Sequence, residues 1–210
     1  MVRRTKEEAA ATRDSILDAA EKLFVQQGVS RTTLQHIASE AGVTRGAIYW
    51  HFDDKGALFN AMMERATLPL ESAVQLLDQT DAADPLADLR AFMLGVIRIT
   101  VEDPQARRVF EIATLKMEFV DELNVVRVRR RHNVDAWMVR AEGRIRLAQK
   151  RGQLQSKAPP RSLALGMWSL LDGLIRTWMF DPSNFDLVEV GTESIDTYFD
   201  GLRVAGEPGA

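Results

Sequence analysis

Thr33-Leu34-Gln35-His36-Ile37-Ala38-Ser39-Glu40-Ala41-Gly42-Val43-Thr44-Arg45-Gly46-Ala47-Ile48-Tyr49-Trp50-His51-Phe52 reads as two short helices joined by a tight turn. Leu34, Ile37, Ala38 and Ala41 recur at i, i+3, i+4 and i+7, which is one face of a helix. Gly42 follows at once, where a left-handed C-terminal cap calls for a residue without Cβ. Val43 can plug the wedge between the helices, and Thr44 stands where the second helix needs an N-cap. This is the layout of a helix-turn-helix, whose second helix enters the DNA major groove by its N-terminal residues.

The second helix carries the chemistry. Arg45 in its first turn offers a fork of donors to a guanine edge or a phosphate. Gly46 has no side chain to hold the backbone away from DNA. Tyr49, Trp50 and His51 follow in a row, whereas a short core helix needs only one or two such groups beside Ile48 and Phe52. Just upstream, Arg31, Thr32 and Thr33 stand at the start of the first of the two helices, where N–H groups and hydroxyls suit a phosphate. Asp54 can cap the next helix, and Lys55 in its first turn opposes the helix dipole. Contact with a DNA phosphate is the expectation for Lys55.

The run from Thr33 to Phe52, with Lys55 and Leu58 after it, resembles the DNA-binding signature of TetR-family repressors. The form from Val43 to Phe52, the opening Arg3-Arg4-Thr5-Lys6-Glu7-Glu8 and the later Asp172-Gly173-Leu174-Ile175-Arg176 are similar to the AcrR-like branch that controls multidrug efflux pumps. The signature covers about a quarter of the chain. The resemblance implies a homodimer built on the last two long helices, a drug-binding cavity in the C-terminal domain, and an efflux operon as target. Carried over by position, the cavity lining includes Met93, Val96, Phe110, Thr114, Val134, Trp137, Trp168, Leu171, Asp172 and Arg176. Only the Asp172–Arg176 stretch matches a motif; the other positions follow from placement on neighbouring helices.

Composition sets the bounds. The chain has 210 residues, 27% charged and 46% hydrophobic, enough for one or two domains with ample core. Its net charge of -3 means that affinity for nucleic acid must come from a local patch and not from the global field. No cysteine is present, which excludes disulfides, thiol catalysis and cysteine metal sites. The three histidines, His36, His51 and His132, lack ligand spacing, so neither a metal nor another cofactor is expected. No phosphate loop or G-x-S-x-G appears. A charged start and the absence of a long apolar run point to a cytoplasmic protein without membrane contact.

In chain order, residues 1–6 form a basic arm that either touches DNA or only solubilises. Ile16, Ala20, Leu23 and Phe24 mark a first helix that Gly28 ends. The helix after Asp54 is expected to run towards Leu77, with Pro69 kinking or breaking it: a candidate hinge, or a plain bend. Pro85, Pro104, about Asp121, Pro159-Pro160 and Asp186 open five more helices. The basic run Arg127, Arg129, Arg130, Arg131, His132 spreads around its helix and reads as a solvated face. The helix from Leu163 to Phe180 is apolar nearly all round, with Gly166 and Gly173 placed to admit another helix. Asp172 and Arg176 on it can pair, as an interface bridge or as a polar anchor in a cavity.

The fold expected is all-α: a three-helix DNA-binding domain over residues 1–54 and a helical ligand-binding and dimerisation domain over 55–210. The expected partners are double-stranded operator DNA, hydrophobic or aromatic effectors and a second copy of the chain. Arg45, Tyr49 and Trp50 are the expected base contacts; Thr33, Thr44, His51 and Lys55 are the expected phosphate contacts. A constitutive DNA-binding regulator and an all-α small-molecule-binding protein are the alternatives.

Overall fold

The computed structural model describes residues 6–67, 74, 77–78, 83–116 and 124–203. Among them are nine helices: α1 (Lys6–Gln27), α2 (Leu34–Glu40), α3 (Arg45–His51), α4 (Lys55–Thr67), α5 (Pro85–Glu102), α6 (Pro104–Leu115), α7 (Asn124–Lys150), α8 (Pro160–Phe180) and α9 (Leu187–Leu202). The described residues form no strand, only an isolated bridge between Leu154 and Arg203. The expected all-α class is observed. The N-terminal arm, the Pro69 kink and the C-terminal tail lie outside the described residues.

Helix ends fall where the sequence places its stop and start signals. Gly28, Gly42 and Gly152 all have positive φ, at +83°, +65° and +69°, each closing the helix before it. Asp84, Thr44 and Asp186 cap α5, α3 and α9 through backbone N–H groups that donate to their side-chain oxygens. Pro85, Pro104 and Pro160 each occupy the first turn of their helix, where a missing N–H costs nothing.

The chain divides into two compact units. The first takes residues 1–68 and 105–131, and so contains α1 to α4 and almost all of α6. Ile16, Leu17, Ala20 and Phe24 of α1 are fully buried in it with Ile37, Ile48, Leu58 and Met62. The second unit takes residues 69–104 and 132–210. There α9 packs on α5 and α8, and Arg90 of α5 forms a two-pronged ion pair with Asp196 of α9. A Cβ on Gly191 would stand 2.5 Å from the terminal methyl of Ile97, so a larger residue there requires the Ile97 side chain to shift.

One expectation for α8 needs correction. Gly166 does not serve an open helix-pairing face, because a Cβ there would stand 2.5 Å from the Tyr198 hydroxyl of α9 in the same chain. That close approach lets the Tyr198 hydroxyl donate to the Leu163 carbonyl at 3.0 Å. Gly173, by contrast, has open space around it. Leu165 and Phe180 of α8 are 54% and 83% exposed within one chain.

Candidate nucleic-acid interface

Two caps, one at each helix start, set the helix-turn-helix. The Thr33 hydroxyl accepts from the His36 N–H at 3.2 Å, and the Thr33 N–H reaches His36 Nδ1 at 3.4 Å. His36, in the first turn of α2, thereby completes a capping box in the place that glutamate or glutamine more often fills. Thr44 accepts from the Ala47 N–H at 3.2 Å. In both threonines the hydroxyl oxygen serves the cap while its proton can still be donated outward. Lys22 of α1 reaches Glu40 of α2 at 2.5 Å and braces the pair from outside.

The face of α3 away from the core is built of large groups in the open. Ile48 is fully buried and Phe52 nearly so, which anchors the helix. Tyr49 is 46% exposed and Trp50 73% exposed. The Arg45 guanidinium lies 5.4 Å over the Tyr49 ring and donates to its hydroxyl at 3.0 Å. Two expected base contacts are therefore pre-oriented together, one helical turn apart. His51 meets Trp50 edge-on at 4.5 Å between ring centres. Among the described residues a Cβ on Gly46 would meet only Thr44 Oγ1, at an ordinary 3.8 Å, so none of them requires glycine there.

Three expected phosphate residues divide. Arg31 is exposed, with its Nε donating to the Gln27 carbonyl at 2.8 Å. Thr32 is fully buried; its hydroxyl donates to the Gly28 carbonyl at 2.8 Å and accepts from Gln27 Nε2 at 3.1 Å. Its expected hydroxyl contact with phosphate is corrected to a structural role in the turn. Lys55 is corrected likewise. Only 4% exposed, it donates from Nζ to the Val29 and Thr32 carbonyls, both at 3.1 Å. The ammonium that opposes the α4 dipole is held by two carbonyl dipoles of the turn between α1 and α2.

Of the ten effector candidates, Phe110 and Thr114 stand on α6 in the first unit and the other eight in the second. The second unit brings Trp137 and Trp168 together with ring centres 5.4 Å apart, and Phe92 flanks Trp137 at 6.4 Å. Trp137 is 5% exposed, and among the described residues its indole N–H meets no acceptor. Met93 and Leu171 are also buried. Asp172 and Arg176 pair at 2.6 Å with side chains 33% and 43% exposed, a half-exposed and not a buried bridge. Two clefts open on the first unit, and none of the ten candidates lines either. Among the described residues no three His, Cys, Asp or Glu side chains gather as a metal site, and no helix is long and apolar enough to cross a membrane.

A capped, braced helix pair presenting arginine, tyrosine and tryptophan outward, followed by a second helical unit, defines a helix-turn-helix regulator of transcription. Residues 16–62 match the model of bacterial regulatory proteins of the tetR family, and residues 84–204 match the C-terminal region of MAATS-type transcriptional repressors. The chain belongs to the tetR family. It is 39% identical over 205 residues to the HTH-type transcriptional regulator TtgR of Pseudomonas putida, covering 98% of each chain. It is also similar to the crystal structure of NalD, the secondary repressor of the MexAB-OprM multidrug efflux pump of Pseudomonas aeruginosa. There the identity is 34% and the TM-score 0.88, over 96% of this chain and 100% of that one. The SmeT–triclosan complex matches at 33% identity and TM-score 0.82, over 93% of both chains.

Proposed function

We propose that this chain represses a multidrug efflux operon by binding a palindromic operator as a homodimer, and that hydrophobic or aromatic small molecules release it. The observation that carries the DNA-binding half is the α3 surface: Arg45, Tyr49 and Trp50 outward on a helix whose start is capped by Thr44. Arg45, Tyr49 and Trp50 read bases. Arg31, Thr33, Thr44 and His51 hold phosphates, and Gly46 lets the backbone approach. Residues 1–54 are the reading domain and 55–210 the sensing and pairing domain. The protein acts in the cytoplasm and has no catalytic role.

The effector half is supported by relatives that repress efflux pumps and by one that is complexed with triclosan. It is further supported by Trp137, a buried donor between two aromatic rings with no acceptor among the described residues. A buried N–H without a partner costs about 1–3 kcal/mol, and an effector that brings an acceptor regains it. Met93, Val96, Val134, Trp168, Leu171, Asp172 and Arg176 are the other second-unit residues assigned to the effector. Pairing through α8 and α9 would cover Leu165 and Phe180 and set the two α3 helices about 34–36 Å apart, or a multiple of it. The test is Tyr49→Ala: operator affinity falls at least tenfold while triclosan affinity, read from tryptophan fluorescence, is unchanged. Retained operator affinity removes α3 as the reading element.

A further inference from the structure

Trp137 stands in the middle of α7 with aromatic side chains from two other helices against it. The Phe92 ring of α5 is 6.4 Å away between centres and tilted by 33° to it; the Trp168 ring of α8 is 5.4 Å away and tilted by 52°. Both are distances at which aromatic rings attract one another. All three side chains belong to the second unit. Trp137 is buried, whereas Trp168 is half-buried. Among the described residues the Trp137 indole N–H has no acceptor.

A buried donor left unmet is rare in folded proteins, because burial strips away its water and returns nothing. Phenylalanine would give an aromatic contact without that cost. The two rings against Trp137 do not supply the missing partner: Phe92 is a hydrocarbon, and the one polar atom of Trp168 is itself a donor. A water held beside the N–H would need two to four polar partners, and these two side chains offer a single polar atom between them. What the cluster lacks is an acceptor. What it offers is aromatic surface.

We propose that Trp137 is a specificity-determining residue for the effector. Its indole N–H donates to an oxygen of the ligand, so the protein selects aromatic compounds that carry a carbonyl or comparable acceptor over hydrocarbons of the same shape. This rests on the effector-released repressor reading and narrows its class of effector. The ligand's ring meets Trp137 from the side of the half-buried Trp168, and its oxygen takes the position that no described residue fills. A ligand without an acceptor leaves the N–H as unmet in the complex as in the free protein. A site with a buried hydrogen-bonding group rejects the analogue that lacks its partner more sharply than an apolar pocket sorts ligands by size.

The experiment uses benzophenone and diphenylmethane as a matched pair, two phenyl rings joined by a carbonyl in one and by a methylene in the other. Each is titrated calorimetrically into the DNA-free full-length protein, wild type and Trp137→Phe, which keeps an aromatic ring and loses the N–H. The ratio of benzophenone affinity to diphenylmethane affinity falls about tenfold in Trp137→Phe. A mere packing role changes both affinities alike, and a ratio that stays within about twofold overturns the proposal. A second readout needs no variant: in wild type, benzophenone moves the proton resonance of the indole N–H that neighbours the Phe92 ring downfield, and diphenylmethane does not. A resonance unmoved by bound benzophenone overturns the proposal while leaving the repressor reading intact. So does failure of benzophenone to bind a wild-type protein that triclosan releases from its operator. Operator DNA that neither compound nor triclosan releases from the wild type overturns that reading and this inference with it.

Discussion

Lys55→Met separates two roles that a lysine at the start of α4 could have. The substitution keeps the aliphatic stem in its buried slot and removes the ammonium that donates to the Val29 and Thr32 carbonyls. Each hydrogen bond from a charged group is worth about 1.5–3 kcal/mol, which gives a gross loss of about 3–6 kcal/mol for two. Removing the ammonium also removes the cost of keeping a charge only 4% exposed, which recovers part of that loss. The net expectation is about 2–3 kcal/mol of lost stability for the first unit. Urea unfolding of the full chain reads it. Operator binding across a salt series reads the competing role: each phosphate contact contributes about 0.9 to the slope of log K against log salt. The buried-strut role predicts the stability loss with an unchanged slope. A stability change under about 0.5 kcal/mol together with a slope smaller by about 0.9 per subunit would refute the assignment.

Gly166→Ala places a Cβ 2.5 Å from the Tyr198 hydroxyl, breaks its bond to Leu163, and costs about 1–3 kcal/mol in thermal or urea unfolding. In a Tyr198→Phe background the same substitution costs less, because the clashing atom is gone; strictly additive losses would contradict the packing described. Acid titration of stability carries the mark of two carboxylates. Burial works against the charged form of Asp84, but hydrogen bonds from the Ala87 N–H, Arg203 and the Leu86 N–H outweigh it and lower its pKa. The hydrogen bond from Arg90 lowers that of Asp196. A carboxylate with a lowered folded pKa gives stability that is fully present above the ordinary value of about 3.9 and lost as pH falls through the folded one. Asp84→Asn and Asp196→Asn should each flatten the loss of stability below about pH 4; an unchanged acid limb in both rules the two pairs out as its source. Asp172→Asn should alter the triclosan concentration that releases operator DNA while leaving operator affinity nearly unchanged. Dissociation of the dimer in that variant, read by sedimentation, would place the Asp172–Arg176 bridge in the interface.

The parts of this molecule that were legible in the sequence are those fixed by neighbours a few residues away. Gly42 and Thr44 announce a turn and a cap because only their own backbone geometry is involved. Asp172 and Arg176 meet because four residues on a helix bring them to adjacent turns. Lys55 is the opposite case: its acceptors lie 23 and 26 residues away, and periodicity does not say which carbonyls a buried ammonium will find. For Thr32, residue types alone do not show the turn that engages its hydroxyl. Glu21, buried and paired with Arg65 and Arg108, did carry a signal. It stands at i+4 from Leu17 on an otherwise apolar stripe, and a charge at such a position implies partners even when they cannot be named. Gly166 carried only half a signal: close approach was evident, but the approaching group is Tyr198 of the same chain.

Fluorescence anisotropy of the full-length protein on DNA from its own upstream intergenic region, at fixed salt and with and without triclosan, tests the central claim most directly. The account predicts sequence-specific binding, far tighter than to random DNA of the same length, that triclosan reverses. Weak, salt-sensitive binding no better than to random DNA, or specific binding that triclosan and related hydrophobic compounds leave untouched, would contradict it.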